Sequence, residues 1–255
     1  MQLIEKPLKL KKVRPSLGEY MGIEIWAFRK LIDNIDHIRG SDVLTLGRQG
    51  MHLIGDPYNK DNLVAEHLLS RGIQPPPDNV LKGYYSEQFF LWLGASTVMS
   101  MDFSDYEGAS IIHDLNLPIP NKLKDQYNFI FDGGTLEHVF NFPRAILSCI
   151  EMLKIGGVFL SVSVANNFLG HGFYQFSPEL MWRIFGPNNG FNNQSVSLTF
   201  GNDVITDVVD PNISGVRQEL GCTSTPNYII TIAEKTHNNS LKVLQSDYLK
   251  IWGNM

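Results

Sequence analysis

Cysteine is almost missing from this chain, with only Cys149 and Cys222 among 255 residues. Their spacing is not that of a zinc site, and Cys149 falls on the apolar face of an expected helix, so a buried free thiol in a reducing cytoplasm is expected. Long hydrophobic runs are also missing. No stretch approaches the length of a membrane span, and the N-terminus has no apolar segment of the signal-peptide kind. A cytoplasmic protein without a membrane partner is the expectation. Positive charge is scarce too: the net charge of −5 argues against a nucleic-acid partner, which selects for a basic face. There are no internal repeats, low-complexity segments or linkers, so residues 1–255 read as a single domain. What remains is ordinary for a globular chain, 43% hydrophobic and 18% charged.

The most informative stretch runs from Tyr127 to Val164. Asn128 to Phe131 is a short apolar run of the kind used by a sheet covered on both faces. Asp132-Gly133-Gly134 ends it. Asn141 is placed to cap a helix with Pro143 in its first turn, and Ile146, Cys149, Ile150 and Leu153 follow at helical spacing. Gly156-Gly157 is read as the helix stop and Val158 to Val162 as the next strand. Two strands joined by a helix make a right-handed crossover, and such sheets bind ligands beyond the carboxyl ends of their strands. Residues 132–142 and 165–174 then belong to the functional rim.

Taken in order, the chain begins with Lys6, Lys9, Lys11, Lys12 and Arg14, a solvated arm or a clamp over an anionic substrate. A helix is expected over Tyr20–Ile38, with Ile23, Trp26, Ala27, Leu31 and Ile35 on one face. Asp42–Leu46 is the first good strand, followed at once by Gly47-Arg48-Gln49-Gly50. Residues 51–83 read as an insertion on the ligand rim, with a short helix over Leu63–Arg71. Tyr84–Leu93 reads as a further helix and Ser96–Met101 as the second strand, with Asp102 at its end. A short strand precedes Asp114-Leu115. Ser177 and Pro178 start a helix running to Phe185. Ser195–Phe200 and Tyr228–Ala233 alternate as the last strands, suited to an antiparallel edge. Residues 201–226 show no pattern, and 236–255 read as a terminal helix or tail.

The element order from Ser41 to Val164 resembles a class I S-adenosylmethionine-dependent methyltransferase. Phe129-Ile130-Phe131-Asp132 with Leu136-Glu137-His138-Val139 is similar to the family's fourth strand and its loop. Leu153-Lys154-Ile155-Gly156-Gly157 is similar to its L-K-P-G-G turn, with Ile155 in place of proline. The strings SMDFSDYEGA, DGGTLEHVFN and GHGFYQFSPEL also resemble a sub-group of small bacterial methyltransferases, some associated with surface-polysaccharide or nucleotide-linked substrates. The resemblance implies a Rossmann-like α/β fold: a doubly wound, mostly parallel seven-stranded sheet with helices on both faces and an antiparallel edge strand. It also implies S-adenosylmethionine as cofactor and a small-molecule acceptor. Asp102, with Phe103 beside it, would take the ribose hydroxyls, Asp114 and Leu115 the adenine, and Asp132 and Gly133 the floor of the site.

The first strand departs from the family pattern of an acid followed by G-x-G-x-G. Thr45 stands for the acid and Gln49 for the second glycine, so Gly47, Arg48 and Gln49, with Tyr85 and Glu87 after the insertion, become the candidates for the methionine end. A chain whose loop cannot hold cofactor would be a methyltransferase-like binding module instead. A nicotinamide oxidoreductase is disfavoured because G-x-G-x-x-G is absent. For chemistry, His171 between two glycines and His138 after Glu137 are the candidate bases, each also readable as a hydrogen-bonded structural histidine. Asn167, Tyr174 and Gln175 are the candidate acceptor contacts. His113-Asp114 lies at a strand end rather than on a helix with further ligands, so no metal is expected.

Overall fold

The computed structural model describes residues 22–53, 63–200, 204–215, 218, 220–221 and 223–246. The expected arm over 1–16, the helix start at Tyr20 and Cys222 lie outside them. Alternation along the strands sorts side chains to opposite faces of one sheet. Leu44, Leu46, Ile130 and Phe159 join one buried cluster, whereas their neighbours Val43, Phe129, Phe131, Val158 and Leu160 join the other.

The strands are β1 (Gly22–Ile23), β2 (Asp42–Leu46), β3 (Gly50–Met51), β4 (Thr97–Asp102), β5 (Ile111–Ile112), β6 (Tyr127–Asp132), β7 (Leu153–Asn166), β8 (Phe191–Phe200), β9 (Val204–Asp207) and β10 (Asn227–Lys235). The helices are α1 (Ile25–Asp33), α2 (Ile35–Ile38), α3 (Leu63–Ser70), α4 (Asp78–Leu81), α5 (Glu87–Trp92), α6 (Phe142–Met152), α7 (Pro178–Ile184) and α8 (Pro211–Ser214). Eight strands form the main sheet in the order β5-β4-β2-β6-β7-β10-β8-β9, while β1 and β3 pair separately. From β5 to β7 every pairing is parallel; β10 runs antiparallel to both β7 and β8. The chain leaves β2 outward through β4 and β5, then returns to β6 and β7. The direction of winding therefore reverses between β2 and β6, where a crevice opens at the carboxyl ends of the strands.

Several expectations change. The main sheet has eight strands rather than seven, because the patternless stretch after Phe200 supplies β9. The reversed strand β10 is not an edge strand; it is inserted between β7 and β8, and β9 takes the edge. The helix foreseen across Tyr20–Ile38 is replaced by β1, α1 and α2. Ile23 is buried in a strand instead, where it pairs with Met51. Helix α6 ends at Met152, ahead of Gly156-Gly157, because β7 already pairs at Leu153 and then shifts register against β6 before Val158. Gly156, at φ 81°, allows that irregularity. Asn141 stands at the start of α6 but makes no cap there; its amide donates to the Asn116 carbonyl. Residues 236–245 run without regular structure.

Candidate active site

Three strand ends meet at the reversal point. Gly47, after β2, adopts φ 71° and donates its N–H to the Met101 carbonyl at 2.7 Å. A Cβ at Gly47 would lie 2.8 Å from the Thr135 hydroxyl and 3.9 Å from Oδ2 of Asp102. Only glycine permits so close an approach in that backbone region. Thr45, where the family pattern wants an acid, is buried and its hydroxyl donates to the Gly47 carbonyl. Asp102 is partly exposed at the end of β4, accepting from the Ser104 N–H at 3.4 Å. Phe103 beside it is exposed, and Leu115 is buried below. Asp114 accepts from both the backbone and side chain of Asn116 at 2.9 and 2.7 Å, which hold its carboxyl below the usual range.

Arg48 and Gln49 behave differently from one another. The Arg48 guanidinium donates to Glu87 at 2.7 Å and to the Glu107 carbonyl at 2.6 Å, and lies 3.9 Å from the Tyr85 ring centre. It ties the β2 loop to the far end of the insertion, where Gly50 also bridges to Tyr85. Within the insertion, α3 leans on α1: His67 contacts Asp33 at 2.9 Å and Arg71 contacts it at 2.6 Å. Gln49 is buried between β2 and β6. Its amide nitrogen donates to the Leu46 carbonyl and to Thr135, while its Oε1 has no partner and would lie 2.6 Å from a Cβ on Gly133.

Asp132 is fully buried at the end of β6 and accepts four hydrogen bonds, from the N–H groups of Thr135 and Leu136 and the hydroxyls of Ser161 and Ser163. Burial nevertheless pushes its carboxyl up. Next to it, Glu137 is buried with no side chain hydrogen-bonded to its carboxyl, whose nearest polar partners are the backbone N–H groups of Glu137 and Val164. Burial, and then the charge of Asp132, push Glu137 up to about 8. His171 brings Nε2 to 3.9 Å from Glu137 Oε1, and the rings of His138 and His171 are 4.9 Å apart. Burial lowers both imidazoles. The two segments are fastened by backbone: the N–H groups of Phe173 and Tyr174 donate to the Glu137 carbonyl at 2.9 and 3.2 Å.

Asn167, Tyr174 and Gln175 each engage the backbone. Asn167 donates to the Thr223 and Thr225 carbonyls, both at 2.8 Å, Tyr174 donates to the Phe140 carbonyl at 2.6 Å, and Gln175 accepts from Phe168 at 3.0 Å. All three hold the loop after β7 in place. Sequence reasoning missed Glu137, Thr135, Ser161 and Ser163 as site residues. The one available signal was an acid set between Leu136 and His138 in an otherwise apolar run.

No protein-family model matches the chain, and no curated protein matches it. Among solved structures, the branched-chain polyamine synthase of Thermus thermophilus, complexed with N4-aminopropylspermidine and 5'-methylthioadenosine, aligns at 14% identity and TM-score 0.42 over 87% of this chain and 58% of its own. TehB from Haemophilus influenzae aligns at 14% identity and TM-score 0.45 over 81% of this chain and 62% of its own. The 1,6-didemethyltoxoflavin-N1-methyltransferase of Burkholderia thailandensis, with 1,6-didemethyltoxoflavin and S-adenosylhomocysteine bound, aligns at 11% identity and TM-score 0.35 over 83% of this chain and 79% of its own. The chain spans less than two thirds of the length of the first two.

Strand order and direction carry the fold: β2 central, β4 and β5 to one side, β6 and β7 to the other, and a reversed β10 beside β7. This is a Rossmann-like, doubly wound α/β fold. In that fold the crevice lined by Gly47, Asp102 and Gly133 lies at the ligand end of the sheet. A groove of about 720 Å³ lined by Arg183, Asn189, Phe191 and Asp210 opens elsewhere. It adjoins the start of β8, which runs in the same direction as β7, and so lies at the opposite end of the strands. Among the described residues no helix is long and apolar enough to cross a membrane.

Proposed function

We propose that the protein transfers a methyl group from S-adenosylmethionine to a small-molecule acceptor. The observation that supports this is the meeting of Gly47, Asp102 and Gly133 at the reversal point, with Glu137, His138 and His171 clustered in the loops after β6 and β7 at the same end of the sheet. The residues suit the cofactor. Asp102 offers a carboxylate for a ribose diol, Leu115 and Phe103 offer apolar surface for adenine, and the unpartnered Gln49 Oε1 offers an acceptor for an ammonium group. When bound, the cofactor supplies an activated methyl on a sulfonium sulfur.

The protein's own contribution is alignment and proton removal. His171 carries the role of base, with His138 next to it; burial lowers both imidazoles, a shift toward the neutral, proton-accepting form. Asn167, Tyr174 and Gln175 hold His171 in place by fixing its loop. The acceptor we infer from the resemblance is a sugar- or nucleotide-linked small molecule, in the cytoplasm, with neither nucleic acid nor membrane as partner.

One observation favours a second reading, a non-catalytic binding module on the same fold. The side chain of Gln49 fills space between Gly47 and Gly133 that a glycine would leave open. Calorimetry with S-adenosylhomocysteine against NAD decides between the readings. Binding of the first and not the second supports the transferase; binding of neither removes it.

A further inference from the structure

We propose that Glu137, His138 and His171 form a binding site for a divalent first-row transition-metal ion. One donor atom from each residue lies within 4.8 Å of the other two. Two ligands each ~2.1 Å from an ion stand ~3.4 Å apart at the tetrahedral angle and ~4.2 Å apart across the ion. The 3.9 Å between Glu137 Oε1 and His171 Nε2 falls between these; the 4.8 Å that bounds the whole set exceeds the wider spacing, so side-chain rotation has to draw the donors in around an ion.

The second observation is the state of the donors. The Glu137 side chain is 1% exposed, and no side chain hydrogen-bonds to either of its oxygens; the polar groups nearest them are the backbone N–H groups of Glu137 and Val164. His138 Nε2 is buried without a partner as well. Among the described residues, Glu137's ion-pair contact is His171 alone. A buried acid with so few polar partners is one that a bound cation stabilises, the ion taking the place of the proton. Asp132, 5 residues earlier by number, shows the contrast: it is equally buried and accepts four hydrogen bonds.

The scaffold is specific to this arrangement. Glu137 and His138 share one turn of 3-10 helix, and the loop carrying His171 is bonded to the Glu137 carbonyl through Phe173 and Tyr174. At Gly172 a Cβ would stand 2.9 Å from the Glu137 carbonyl oxygen and 3.2 Å from His138 Nδ1, so a glycine is needed for the two segments to meet. Two imidazoles and one carboxylate suit Mn²⁺, Fe²⁺, Co²⁺ or Zn²⁺ better than Mg²⁺ or Ca²⁺, which favour all-oxygen sets. Three protein ligands leave at least one position for water or for an acceptor oxygen. On the methyltransferase reading, that position takes the acceptor hydroxyl; with the ion bound, the ion rather than His171 activates the hydroxyl, and the base role given to His171 above belongs to the ion-free protein.

The test is calorimetry on full-length, tag-free protein stripped with a chelator and titrated with Zn²⁺, Mn²⁺ or Mg²⁺ alone. About one Zn²⁺ or Mn²⁺ per chain is expected, with Mg²⁺ far weaker, and the melting temperature should rise with the bound ion. Glu137→Gln and His171→Ala, each checked for native circular dichroism, should weaken binding by ~100-fold or more. Absence of stoichiometric binding to the wild-type protein overturns the site, as does unchanged affinity in both folded variants. S-adenosylhomocysteine binding by the stripped protein is measured in parallel: its loss with ion binding intact removes the transferase reading and leaves the metal site standing.

Discussion

The side chain of Gln49 reaches from the turn after β2 to the floor formed by Gly133: its Oε1 would stand 2.6 Å from a Cβ there, and it has no hydrogen-bond partner. Two outcomes are therefore opposed in sign. If Oε1 receives the ammonium group of the cofactor, Gln49→Ala lowers S-adenosylhomocysteine affinity by about tenfold, the worth of one hydrogen bond to a charged group. If the side chain blocks the crevice, the same change raises affinity. We expect the fall, measured by calorimetry.

Asp102 ends β4 beside Gly47, with its carboxylate only partly exposed. Asp102→Ala is expected to weaken S-adenosylhomocysteine by about 1.5–3 kcal/mol, tenfold to a hundredfold, without unfolding the protein. Equal affinity in a folded variant removes the ribose contact.

For His171, replacement by Asn keeps some hydrogen bonding and removes a titratable base. Turnover should fall about 10²–10⁴-fold with cofactor affinity nearly unchanged. A rise in the Michaelis constant with milder loss of turnover assigns the residue to acceptor positioning. No change in either parameter assigns the loop a structural role alone.

Lys235 is a stability prediction independent of the site. Its buried ammonium donates to the Ile150 and Leu153 carbonyls at 2.8 and 2.6 Å, closing the carboxyl end of α6, with Asp125 at 3.4 Å. Lys235→Met leaves those carbonyls unpaired in the core. A loss of roughly 2–3 kcal/mol, or roughly 4–12 °C in melting temperature, is expected by calorimetric scanning.

The contact between α1 and α3 depends on pH. Burial alone would raise the Asp33 carboxyl; the hydrogen bond and charge of His67, then the charges of Arg71 and Lys30, outweigh it and hold Asp33 below its usual range. A depressed carboxyl contributes stability above its unfolded value, about 3.9, and loses it as pH falls through the lower folded value. Proteolytic cutting within α3 should therefore increase as pH drops below about 4. In Asp33→Asn the cutting should already be raised at neutral pH and change less with acidification.

Much of the sheet was legible because its signals are local. Apolar runs such as Phe129-Ile130-Phe131 read as strands from composition, and Ser177-Pro178 read as a helix start; Ser177 does accept from the Leu180 N–H. The rim followed too, since a crossover places both loops at the same end of a parallel sheet. Register was not legible. That α6 stops at Met152 depends on the pairing of the next strand, with Leu153 already opposite Tyr127, and that β10 enters beside β7 depends on hydrogen bonds between segments far apart in sequence. The cluster of Glu137, His138 and His171 belongs to the same class. Sequence named the two histidines one at a time and gave no reason to join them to Glu137. Backbone bonds from Phe173 and Tyr174 to the Glu137 carbonyl bring them together, and the burial that leaves its carboxyl without a side-chain partner is a property of packing alone.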